Sequence, residues 1–133
     1  MINQIFDKNG DIIAIYVSDV TLMGPGINFL TNESDSLQLG VFAHPKDHQI
    51  RRHWHPDFVR NLNKTSEVLF VVSGSMSVDI YNQDLTPNQT LTLASGGLIA
   101  LFSGGHGFKI LEPSHILEVK QGPYAGNDDK ILF

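Results

Sequence analysis

Apolar residues recur along this chain with a period close to two, in short runs separated by turn-forming clusters. Residues 2–6 and 12–17 are apolar runs on either side of Asp7-Lys8-Asn9-Gly10, a tetrapeptide suited to a hairpin turn because Asn and Gly tolerate positive φ. Residues 27–31 and 37–43 flank a second turn cluster at 32–36. Further strands are predicted at 49–55, 67–72, 76–81, 90–93, 98–102, 107–111 and 116–120, with Gly, Pro, Asn and Ser between them. Short strands with a turn signal every eight to twelve residues predict a β-sandwich or barrel. Helix is confined to a turn near 18–22, capped by Ser18 or Asp19 and stopped at Gly24-Pro25-Gly26, and to a single turn within 56–62.

Burial follows from the same pattern. Residues 67–72 are apolar on both alternations after Glu67, which predicts a central strand covered on both faces. Met76, Val78 and Ile80 alternate with Ser77, Asp79 and Tyr81, so the next strand has one wet face. Five of the twelve glycines lie between Gly96 and Gly107. They predict tight corners around 98–102, or a close backbone approach to a ligand. The expected organisation is one domain over 1–133. N-terminal strands occupy 1–36, a barrel core about 37–121 and a tail 122–133.

Composition narrows the function classes. The 133 residues contain no cysteine, so disulfides, thiolate metal sites and thiol nucleophiles are excluded. A net charge of −5 argues against nucleic-acid binding. No run approaches the roughly 18 apolar residues of a membrane span, and the charged N-terminus lacks the core of a signal peptide. A cytoplasmic location with no membrane partner is the expectation. A homodimer is expected too, with residues 2–17 adding strands to a neighbour's sheet edge.

The candidate chemistry centres on His53-Trp54-His55. On an extended chain His53 and His55 share a face, about 7 Å apart, and can converge on one divalent ion. Glu67 opens an otherwise apolar strand, where an unpaired carboxylate would be costly to bury. His106 sits among small residues in Ser103-Gly-Gly-His-Gly. Lys46, Arg51, Arg52, Arg60 and Lys64 place five of the nine basic residues within 44–64. That field suits a small anionic molecule, bound by the planar forks of Arg51, Arg52 and Arg60, although a solvated polar hairpin would carry the same charges.

These residues resemble the motifs of the cupin superfamily. His53-x-His55 followed by Glu67, six residues and Gly74 is similar to its first motif, and Gly96 to His106 is similar to its second. The likeness covers about residues 40–121. Eleven residues separate His55 from Glu67, where the family usually has three or four, and His106 arrives one residue early. The resemblance implies an all-β jelly-roll (double-stranded β-helix) barrel with an N-terminal β-hairpin, often dimeric. It also implies a metal (Mn, Fe, Ni or Zn) held by His53, His55, Glu67 and His106. The tail from Glu118 to Tyr124, with Asp129-Lys130, is similar to small stand-alone cupins encoded among bacterial surface-polysaccharide genes, and flags Tyr124 as a substrate contact. The expected activity is a metal-dependent isomerase or epimerase acting on a sugar nucleotide or sugar acid. The alternatives are a metal-free isomerase using His53 or His106 as general base with Glu67 orienting it, and a non-catalytic sensing cupin.

Overall fold

A computed structural model describes all 133 residues. Ten strands and two short 3-10 turns make up its regular structure: β1 (Ile2–Phe6), β2 (Ile12–Val17), β3 (Gly26–Phe29), β4 (Gly40–Ala43), β5 (Glu67–Ser73), β6 (Ser75–Tyr81), β7 (Pro87–Ala94), β8 (Leu98–Leu101), β9 (Gly105–Ile110) and β10 (His115–Lys120). They form three antiparallel sheets, ordered β1-β2-β8-β5-β10, β7-β6-β9 and β3-β4. The protein is therefore all-β, with the antiparallel sheets from which a jelly roll is built. No strand pairing joins one sheet to another, so the ladder does not close into a barrel.

The five-stranded sheet is apolar on both faces because it is covered on both. Between it and the three-stranded sheet lies the main core, including Ile13, Leu69, Val71, Met76, Val78 and Ile99. On its other face Ile15, Val17, Val68, Leu98 and Ala100 pack with Leu30 beneath the β3–β4 hairpin. The middle strand, β8, is buried at all four residues. The predicted central strand, β5, does lie between two neighbours, but Val72 near its end reaches beyond the cover and is exposed.

The turns follow the predicted chemistry. Gly10, Gly74, Gly96 and Gly104 all adopt positive φ. Two of these make the corners around β8, so ordinary turns account for the glycines there. Asp19 caps the first 3-10 turn, its carboxylate accepting from the Thr21 N–H at 2.8 Å. Asp7 is buried and accepts from the Gln83 N–H at 3.0 Å, tying the first hairpin to the β6–β7 turn. That bond leads the contacts holding its carboxyl below the usual range.

Residues 2–17 join their own chain's sheet, where β2 pairs with β8 from Ala14↔Leu101 to Val17↔Leu98 and β1 forms one edge. One expectation needs correction. Residues 44–66 contain no strand or helix, so neither the strand at 49–55 nor the turn within 56–62 forms. Part of the reason is local: the His53 Nδ1–H donates to the Arg51 carbonyl at 2.8 Å, occupying an acceptor that a ladder would use. No neighbouring strand offers a competing register.

Candidate functional site

Glu67 begins β5, opposite Leu101 of β8 and Lys120 of β10. It shares its face with Leu69 and Val71, which point into the main core. His106 lies in β9 directly opposite Ile80, itself a core residue, and opposed residues in an antiparallel ladder share a face. The two side chains therefore approach from different sheets. His106 Nε2 stands 3.1 Å from Glu67 Oε2, with side-chain exposures of 29% and 16%.

The electrostatics extend this pair into a chain of alternating charge. Lys120 donates to Asp129 at 2.7 Å, drawing the tail across the end of β10. The hydrogen bond from His106 holds the Glu67 carboxyl below the usual carboxylate range; burial opposes it, and the charges of His106 and Lys120 reinforce it. Asp129 in turn raises Lys120 above its ordinary value, and Lys120 lowers Asp129. An ionised Glu67 accepts the proton on His106 Nε2, which leaves Nδ1 as the basic atom of the ring.

A cavity of about 540 Å³ opens beside His106, lined also by Tyr81, Leu85, Lys130 and Phe133. Phe133 packs edge-on against Tyr81, with ring centroids 5.0 Å apart. Its ring also fills the space that a side chain at Gly105 would need, coming within 2.5 Å of an ideal Cβ. Gly105 therefore owes its lack of a side chain to the tail.

The other predicted site residues lie apart from this pair. Arg51, Arg52, His53, His55 and Arg60 are all exposed on the segment 44–66. The His53 and His55 rings are 5.2 Å apart and edge-on, and the Arg60 guanidinium sits 5.0 Å over Phe58. Tyr124 is largely exposed and lies against the Lys120 ammonium at 5.6 Å rather than in the cavity. His44 and His48 stack on each other in the loop after β4, 3.9 Å apart.

No group of three or more His, Asp or Glu side chains is gathered closely enough to hold a metal. The implied four-ligand set is thus divided, Glu67 and His106 in one place and His53 and His55 in another. As arranged, the residues do not fit a metal centre. Sequence reasoning gave no site role to Tyr81 or Phe133, and Asp129 and Lys130 entered only as part of the tail's resemblance. The one signal for Phe133 was the apolar Ile131-Leu132-Phe133 that follows a charged run.

Comparison with models of known protein families, with curated proteins and with solved structures finds no match to any of them.

Proposed function

We propose that this is a cupin-type jelly-roll protein that moves a proton on a small anionic, carbohydrate-related molecule such as a sugar nucleotide or sugar acid. The observation that carries the reading is the 3.1 Å contact between His106 and Glu67, on a strand whose residues Gly105 to Gly107 line a cavity. A half-buried imidazole oriented by a carboxylate has the makings of a general base near neutral pH. In this role His106 Nδ1 takes a proton from a carbon next to a carbonyl, and the proton returns to a neighbouring atom in an isomerisation or to the opposite face of the same carbon in an epimerisation, without a net change of atoms. Glu67 fixes the ring's tautomer and steadies the imidazolium that forms. Lys130 at the cavity wall supplies a cation for an anionic group.

The test is incubation with a panel of nucleotide sugars and sugar acids in deuterated water, followed by NMR. Deuterium should enter a carbon beside a carbonyl. His106→Ala should slow this by about 100-fold or more, and Glu67→Gln should slow it less. Tight binding without any exchange would replace this reading with the sensing one. Exchange that appears only on adding Mn, Fe, Ni or Zn would replace it with the metal-dependent one.

A further inference from the structure

Every residue from 45 to 65 is exposed, in a stretch with no ladder hydrogen bonds. It is not a polar loop: Ile50, Trp54, Phe58 and Val59 are 53%, 79%, 73% and 84% exposed. The whole chain presents 9540 Å² to solvent. A compact monomer of 14.7 kDa presents about 6,900 Å², so the surplus is about 2,600 Å². Over two subunits that is about 5,200 Å², the size of the largest obligate interfaces, which bury roughly 2,000–5,000 Å² or more over both partners.

The body of the molecule has a matching gap. β9 pairs only with β6, so its other edge presents unpaired N–H and C=O groups. On its core-facing side Phe108 opposes Val78 and Ile110 opposes Met76. Val78 and Met76 are fully buried, whereas Phe108 and Ile110 are 41% and 53% exposed. The core is uncovered along this strand. Charge favours the same match. Residues 44–66 hold five of the nine basic residues and two of the fourteen acidic ones, so the body they would meet is strongly acidic. Glu118, on the adjacent free edge β10, faces the same side as Leu69.

We infer that residues 44–66 are an exchange arm, which in solution seats on the β9 edge of a second copy and covers its Phe108 and Ile110, while the second copy's arm does the same in return. A two-fold exchange of this kind leaves neither arm nor edge open. The alternation of 49–55 that finds no partner within its own chain is then used as an added strand. The occupant is a second copy because the arm stands off its own body throughout 45–65. The seat lies on the strand that carries His106, so Arg51, His53 and His55 of one copy come beside the other copy's Glu67. Seating itself does not depend on the chemistry proposed at His106.

The chain has no cysteine, so introduced thiols report contacts without background. A Trp54→Cys chain and a Phe108→Cys chain, refolded together and treated with a short flexible bismaleimide, should yield a cross-linked pair joining the two. Sedimentation of the unmodified protein should show a dimer at micromolar concentration. Trp54→Ser with Val59→Ser should weaken that dimer at least tenfold with an unchanged circular dichroism spectrum. Ile27→Ser, on the exposed β3–β4 face, should leave it intact. Cross-linking only within a W54C/F108C chain would overturn the inference in favour of an arm that folds on itself. A strictly monomeric protein, or a dimer indifferent to the arm substitutions, would overturn it as well.

Discussion

β6 and residues 49–55 are written in the same alternating pattern and come to opposite ends. In β6, Met76, Val78 and Ile80 are buried while Ser77, Asp79 and Tyr81 face outward, and both edges of the strand are paired, to β7 and β9. In 49–55, Ile50 and Trp54 alternate with Arg51, His53 and His55, yet every one of these is exposed. Alternation chooses which face of a strand is apolar. It does not provide the neighbouring backbone whose hydrogen bonds make the strand. The body of the molecule contains those neighbours within one chain, and the arm does not.

The largest expected effect separates these two regions by stability. Ile99→Ala removes a fully buried side chain from β8 and should lower the free energy of unfolding by about 2–5 kcal/mol. Val59→Ala, in the exposed arm, should change it by less than about 0.5 kcal/mol in protein dilute enough to be monomeric. Urea unfolding monitored by circular dichroism measures both. Equal losses would show that the arm packs against its own body after all.

A smaller contrast lies among the glycines. Gly74 joins β5 to β6 at φ +85°, and a Cβ there would collide with Ser114 Oγ. Gly74→Ala should cost more than about 1 kcal/mol. At Gly107 a Cβ would meet open space, so Gly107→Ala should be tolerated within about 0.5 kcal/mol. Thermal unfolding of the two variants decides this, and a tolerant Gly74 would mean that the hairpin can shift.

Much of the body was legible because its rules are local. The predicted strands at 2–6, 12–17, 67–72, 76–81 and 116–120 fall on β1, β2, β5, β6 and β10, where alternation and turn residues agree. Glu67 stood out because a carboxylate at the head of an apolar strand demands a partner. That the partner is His106 depends on β9 and β5 coming together from two sheets, which no spacing along the chain expresses. Lys120 is placed by its register opposite Glu67, and Phe133 by a contact with Gly105, 28 positions earlier. Such residues carry no pattern of their own. The H-x-H spacing places both rings on a shared face only if the chain is extended, and that extension needs a strand beside it.

The central claim is that His106 and Glu67 act as one unit, and the ionisation of Glu67 tests it directly. A carboxyl held below its unfolded value contributes stability above the unfolded pKa, and this is lost as pH falls through the folded pKa. Wild-type protein should therefore hold the full Glu67 contribution above about pH 4.5 and lose it as pH falls below that value, and a His106→Phe variant should lack it. The decisive measurement is the titration of the Glu67 side-chain carboxyl by carbon-13 NMR in the two proteins. Its midpoint should lie below the usual carboxylate range in the wild type and rise in His106→Phe, where burial acts without the imidazole. The same midpoint in both would mean that His106 does not hold Glu67, and the pair would no longer support proton transfer at this site.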